Sequence, residues 1–242
     1  MSRRWFITGG TPGGFGVAFA EAALETRDRV VLTSRRPQEL ATWADQYGDR
    51  VLVVPLELTD AAQVQGAVRA AEDHFGGIDV LVNNAANALA QPLGEMTPEA
   101  WAKSYDSNLR GPVFLVQKAL PHLKASPAAA VLNMSSVGAF QFAPFVSMYA
   151  AGKAALLSFT RSMAAAYAAD GIRVNAIAPG PVDTDMVRNN PQEAIDVMAS
   201  NTLLKRLASP DEMVGTALLL CSGAGSYITG QVVIVDGGGT PR

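Results

Sequence analysis

Residues 4–25 read Arg4-Trp5-Phe6-Ile7-Thr8-Gly9-Gly10-Thr11-Pro12-Gly13-Gly14-Phe15-Gly16-Val17-Ala18-Phe19-Ala20-Glu21-Ala22-Ala23-Leu24-Glu25. A short apolar run ends at Thr8, five glycines fall within positions 9–16, and an alanine-rich segment follows at once. The run has the length and composition of a strand, and the segment has those of a helix. Glycines at such a junction let the backbone pass close to a pyrophosphate, while the helix N-terminus supplies N–H donors and the positive end of its dipole. An ordinary strand–turn–helix connection also favours glycine, but it has no use for so many.

The same alternation continues along the chain. Apolar runs at 4–8, 30–33, 51–55, 80–83, 130–134, 173–178 and 232–235 are continuous in Val, Ile and Leu, as in strands covered on both faces. Helices are expected at 15–25, 37–47, 60–74, 98–124, 148–169 and 210–222. Asp60 and Ser209 stand at N-cap positions, and Thr97 caps a helix that opens on Pro98. Such alternation implies right-handed crossovers and an α/β fold: a doubly wound parallel sheet of about seven strands with helices on both faces. No linker, repeat or low-complexity block interrupts it, so a single domain over 1–242 is expected.

Composition excludes several classes. With 49% hydrophobic and 17% charged residues among 242, the chain can bury a substantial core. A net charge of −3 gives no reason to expect nucleic acid or an anionic membrane as partner. His74, His122 and the single Cys221 cannot build a Cys/His metal site or an internal disulfide, so no metal is expected and a reducing compartment is. No stretch approaches the roughly 18 apolar residues of a membrane span. The first four residues lead straight into the Trp5-Phe6-Ile7 run, unlike a signal peptide. A soluble, cytoplasmic protein is the expectation.

Which nucleotide the loop serves is a separate matter. Gly9 and Gly14 have P-loop spacing, yet Phe15 and Gly16 stand where that motif needs Lys followed by Ser or Thr. Nucleoside triphosphate hydrolysis is therefore disfavoured. The G-x-G-x-x-G pattern is not met either, because Phe19 takes the last glycine's place. The second strand is more informative. It runs into Ser34-Arg35-Arg36 with no carboxylate before Glu39, whereas an NAD site wants an acid there for the ribose 2′-hydroxyl. A guanidinium grips a 2′-phosphate bidentately, so NADP(H) is expected over NAD(H). The bland alternative is a basic pair in a solvated loop.

Tyr149 and Lys153 stand at i and i+4 and share a helix face. An ammonium beside a phenol lowers the phenol's pKa from about 10 toward working pH, which makes tyrosine a usable general acid or base. Ser136 lies thirteen residues before Tyr149, just past the fifth strand. Ligands in doubly wound folds sit beyond the carboxyl ends of the strands, so its hydroxyl can face the same crevice.

With these residues in place, the chain resembles the short-chain dehydrogenase/reductase family over nearly its whole length. The family's glycine loop looks like Thr8 to Gly16, and its Asn-Asn-Ala-Gly element appears as Asn83-Asn84-Ala85-Ala86. The active-site asparagine looks like Asn108, the serine like Ser136, and the Tyr-x-x-x-Lys pair like Tyr149 and Lys153. Pro179-Gly180-Pro181-Val182-Asp183-Thr184 and a closing Asp236-Gly237-Gly238 complete the series. Three departures stand out: the glycine loop is one residue longer than usual, Glu57 replaces an aspartate, and Ala86 replaces a glycine.

The resemblance implies a nicotinamide-dependent oxidoreductase that interconverts a carbonyl and a secondary alcohol. Tyr149 would exchange the proton with the substrate oxygen, and Ser136 would orient that oxygen. Lys153 would hold the nicotinamide ribose and depress the pKa of Tyr149, and Asn108 would hold a water relaying protons from Lys153. Cofactor contacts are implied at Gly9, Thr11, Gly14, Phe15 and Gly16, and at Ser34, Arg35 and Arg36. Further contacts are implied at Glu57, Leu58, Asn84, Ala85, Tyr149, Lys153, Pro179, Gly180, Val182 and Thr184.

The pocket wall is expected from residues 87–93, 138–144 and 185–204. Asn87, Gln141, Phe142 and Met186 are its substrate candidates, which favours an apolar carbonyl or alcohol over a charged compound or a sugar. A carrier-protein partner is disfavoured. Where reductases of that kind present basic residues, this chain has Ser126-Pro127-Ala128 and Asp170. Residues 148–169 carry only Lys153 and Arg161 as charges, so the outer face of that helix is expected to meet a second copy, in a dimer or tetramer. Two rivals remain. A non-catalytic dinucleotide-sensing protein of the same fold would explain the longer loop but not the complete set of Asn108, Ser136, Tyr149 and Lys153. A serine hydrolase would need a G-x-S-x-G elbow, which the chain lacks.

Overall fold

The computed structural model describes residues 2–240. Its strands are Arg4–Thr8 (β1), Arg29–Ser34 (β2), Val51–Pro55 (β3), Val80–Asn83 (β4), Ala130–Met134 (β5), Arg173–Pro179 (β6) and Val232–Val235 (β7). They form one parallel sheet in the order β3-β2-β1-β4-β5-β6-β7. Side chains alternate across it. Trp5 and Ile7 join a core with Phe19, Leu24 and Leu220, whereas Phe6 packs on the other face with Val68, Leu115 and Met163. Burial on both faces is why the strands read as continuous apolar runs.

The helices are Phe15–Glu25 (α1), Ala41–Asp45 (α2), Ala61–Phe75 (α3), Pro98–Tyr105 (α4), Gly111–Ala125 (α5), Ser147–Tyr167 (α6), Asp185–Arg188 (α7), Gln192–Ser200 (α8) and Val214–Cys221 (α9). The expected caps form. Asp60 accepts the N–H groups of Ala62 and Gln63, Thr97 accepts that of Ala100, and Ser209 with Glu212 closes a capping box. The stretch expected as one helix over 98–124 is instead α4 and α5 joined by a π turn, Asp106–Arg110. Two short helices, α7 and α8, lie in a segment expected only as pocket wall. No helix of the described residues is long and apolar enough to cross a membrane.

The chain winds outward from β1 to β2 to β3, then returns to lay β4 on the other side of β1. That reversal opens a crevice beyond the carboxyl ends of β1 and β4. At the opposite end the same two strands are clamped by Asp79, which accepts from Arg4 N, Nε and Nη2 and from Ser126 Oγ. Burial pushes the Asp79 carboxyl up, but these hydrogen bonds outweigh it and hold the group below its usual range.

Candidate active site

At the reversal, β4 is laced to the glycine loop. Thr8 Oγ1 accepts the N–H groups of Asn84 (2.9 Å) and Ala85 (3.0 Å), and Asn84 Nδ2 donates to Thr8 O (2.8 Å) and Gly9 O (3.1 Å). Residues 11–14 make a tight turn in which Gly14 N donates to Thr11 O at 3.0 Å and Gly13 takes φ +69° behind Pro12. Proline followed by a left-handed glycine is the type II pattern. After this turn α1 opens at Phe15 with Gly14 as its N-cap. Close approach fixes two other glycines: a Cβ on Gly16 would lie 2.5 Å from Gly9 O, and one on Gly9 would lie 2.8 Å from Ala85 Cα. The result is a backbone cradle at a helix N-terminus, suited to a pyrophosphate.

One cleft gathers most of the expected residues. Gly9, Thr11, Gly14 and Phe15 line it from the loop, and Ser34, Arg35 and Arg36 line it from the end of β2. Glu57 and Leu58 follow β3 into it, and Asn84, Ala85 and Asn87 follow β4. Tyr149, Lys153, Thr184 and Met186 complete its wall. Pro12, Leu56 and Ser107 also line it and were not anticipated as site residues, as do Ser135, the neighbour of Ser136, and Asp185 from the expected wall. Each adjoins an anticipated residue, so the usable signal was the whole loop rather than alternate positions along it.

Other expected residues lie off the cleft. Gly16 packs behind Gly9, Gly180 sits against Asp236 and Val182 is buried in a bridge to Ala208, while Pro179 ends β6. Gln141 and Phe142 also lie off the cleft. Phe142 is fully exposed, and Gln141 Nε2 donates to Gly239 O (3.3 Å) and Thr240 Oγ1 (3.2 Å). Past the turn Val137–Ala139 the chain leads to the surface, so neither side chain lines the cleft.

On α6, Lys153 is buried and its Nζ donates to Met134 O at 2.6 Å, 5.7 Å from the Tyr149 ring centre. Ser135 Oγ donates to Lys153 O (3.2 Å), and Ser136 Oγ accepts from Gly138 N (3.1 Å). Burial pushes the Lys153 ammonium down to about 8. Burial likewise pushes the half-buried Tyr149 phenol above its usual value, with the Ser136 hydroxyl pulling the other way. The expected depression of Tyr149 by Lys153 is thereby corrected. Dehydration of the phenolate dominates, while Lys153 Nζ directs one of its three N–H groups at the Met134 carbonyl.

Asn108 sits buried on the π turn, with Gly152 of α6 close against it. Its Oδ1 accepts from Asn87 N (3.1 Å) and its Nδ2 donates to Asn87 O (2.8 Å). The amide therefore fixes the loop after β4 and does not itself face the cleft.

The family model described as enoyl-(acyl carrier protein) reductase matches residues 10–240. The chain belongs to the short-chain dehydrogenase/reductase family. It is 35% identical to galactitol 2-dehydrogenase of Agrobacterium fabrum, over 95% of this chain and 94% of that one. It is also 35% identical to cis-4-hydroxycyclohexanecarboxylate dehydrogenase of Sinomonas cyclohexanicum, over 99% and 98%. A solved structure of a blue fluorescent protein from a metagenomic library, in complex with NADPH, superposes with TM-score 0.91 at 30% identity, covering 99% of this chain and 98% of that one. This short-chain dehydrogenase/reductase is accordingly an oxidoreductase of a family that uses NAD(P), acting on small molecules. The non-catalytic alternative gains no support from these relatives.

Proposed function

We propose that this short-chain dehydrogenase/reductase is an NADP(H)-dependent carbonyl reductase or alcohol dehydrogenase for a small, largely apolar substrate. The reading is carried by one cleft that holds the glycine cradle, two arginines and the Tyr149–Lys153 pair. When bound, the reduced nicotinamide supplies the hydride that adds to the carbonyl carbon. Tyr149 gives its phenolic proton to the carbonyl oxygen, and in alcohol oxidation it takes that proton back. Ser136 orients the oxygen, while Lys153 holds the ribose and offsets the charge of the tyrosinate that forms. Burial that raises the phenol's pKa keeps it protonated but makes it a weaker acid, so proton donation depends on Lys153 offsetting the charge that forms. Asn108 is a positioning residue that keeps Asn87 in the cleft wall.

The two relatives' names include a sugar alcohol and an alicyclic hydroxy acid, which supports a secondary alcohol as the reacting group. The apolar preference rests on Met186, which lines the cleft near Thr184. A carrier-protein partner is not proposed, since Lys124 is engaged with Asp170 at 2.9 Å. A panel of ketones, secondary alcohols and polyols, assayed separately with NADPH and NADH, tests the whole reading. Turnover of polyols alone would overturn the apolar assignment.

Arg35→Ala should raise KM for NADPH about tenfold and leave that for NADH nearly unchanged, the value of one charge-assisted phosphate contact. Equal effects on both cofactors would remove the 2′-phosphate assignment. The outer face of α6 exposes Ala151, Ala154, Ser158, Phe159 and Ala165 with Arg161 as its one charge, a mostly apolar surface that supports assembly with a second copy. Light scattering at micromolar concentration should report a dimer or tetramer, and a monomer there would refute this.

A further inference from the structure

Both arginines of the proposed phosphate site have carboxylates beside them. Arg36 Nη1 lies 3.0 Å from Glu39 Oε1 of its own segment. Arg35 Nη1 lies 3.9 Å from Glu57 Oε2, which comes from the loop after the neighbouring strand, where Ser34 pairs with Pro55. Arg35 and Glu57 both line the cleft. The glutamate is held in place: its N donates to Gln63 Oε1 (2.9 Å) and its Oε1 accepts from Thr59 N (3.3 Å), which leaves Oε2 toward the guanidinium. Arg35 is 70% exposed and Glu57 38%, so at 3.9 Å this is a weak pair. It steadies the guanidinium without committing it.

We propose that Glu57 tunes cofactor preference by competing with the 2′-phosphate for Arg35, an inference that rests on the NADP(H) reading above. With NAD(H), Glu57 remains the partner of Arg35, and no charge is left uncompensated. With NADP(H), the phosphate takes the guanidinium in the stronger, bidentate geometry, and the Glu57 carboxylate is left beside a like charge. The family's usual aspartate is one methylene shorter, and glutamate supplies the added reach. Glu57 therefore narrows the gap between the two cofactors by weakening NADP(H) binding.

The test is fluorescence titration of NADPH and NADH binding to the wild type, Glu57→Gln, Arg35→Ala and the double variant. Glu57→Gln removes the charge without a change in packing, because glutamine has the same shape and keeps an acceptor for Thr59 N–H. It should tighten NADPH about threefold relative to NADH, read as the ratio of the two Kd values, as expected for one exposed ion pair. The effect should fade in about 1 M salt, where exposed charges are screened. In the Arg35→Ala background the same substitution should leave the NADPH-to-NADH ratio of Kd values unaltered. An unchanged ratio in Glu57→Gln overturns the competition. A changed ratio that persists without Arg35 also overturns it, since Glu57 would then act on the phosphate alone. Should Arg35→Ala weaken both cofactors equally, the NADP(H) assignment falls first and takes this inference with it.

Discussion

Tyr149→Phe is expected to lower kcat by about 10³-fold in both directions, within the usual worth of a positioned acid or base. The substitution keeps the ring that packs in the cleft wall and removes only the oxygen that carries the proton. Lys153 stays bonded to Met134 O, and the glycine cradle lies on other elements, so the NADPH Kd should stay within about twofold of wild type. Stopped-flow turnover beside a fluorescence titration separates the two quantities. Retained turnover would sink Tyr149 as the proton donor; lost binding would mean that the ring also shapes the cofactor site.

Lys153→Met should produce an inactive but more stable protein. A free lysine titrates near 10.5, and burial brings Lys153 down to about 8, so folding disfavours the ammonium although it still dominates at neutral pH. Below the folded pKa the protein carries a buried charge at a cost of order 3 kcal/mol. That cost shrinks as pH rises from 8 and is gone above the unfolded value. Methionine keeps much of the length and removes the charge, while Met134 O loses its donor at roughly 1 kcal/mol. A net gain of about 2 kcal/mol is expected at neutral pH, fading toward pH ~10, with kcat down about 10³-fold. Denaturant midpoints at the two pH values check the first part and turnover checks the second. A variant less stable than wild type at neutral pH would overturn this account of Lys153. For the wild type, carbonyl reduction should decline as pH rises through about 8, where the ammonium loses its charge.

The sheet was legible because strands covered on both faces leave continuous runs such as Val80–Asn83, and the caps at Asp60 and Thr97 were legible because capping is local chemistry. What stayed hidden was set by tertiary contacts. Asp106-Ser107-Asn108-Leu109-Arg110 runs into Gly111-Pro112, whose proline has no N–H for Asn108 O, so a break was legible locally, but the asparagine's bond to Asn87 was not. Gln141 and Phe142 follow β5 closely enough to suggest the cleft. Yet the partners of Gln141, Gly239 and Thr240, lie 98 and 99 residues away. The i,i+4 spacing of Tyr149 and Lys153 located the pair, but it counts charge and not dehydration, so it gave the wrong sign for the Tyr149 shift.

Because Asp106–Arg110 is wound wide, the helical stretch over residues 98–125 holds one residue more than a regular helix between the same end points needs. Deleting any one of the five would let the helix heal into ordinary geometry while swinging its neighbours by about 100°. Asn108 would then leave Asn87, and the loop after β4 would lose its tether. The site is thus written into the chain by arithmetic as well as by spelling. Among homologues, a one-residue gap here should mark lost catalysis more reliably than most substitutions in the same five positions.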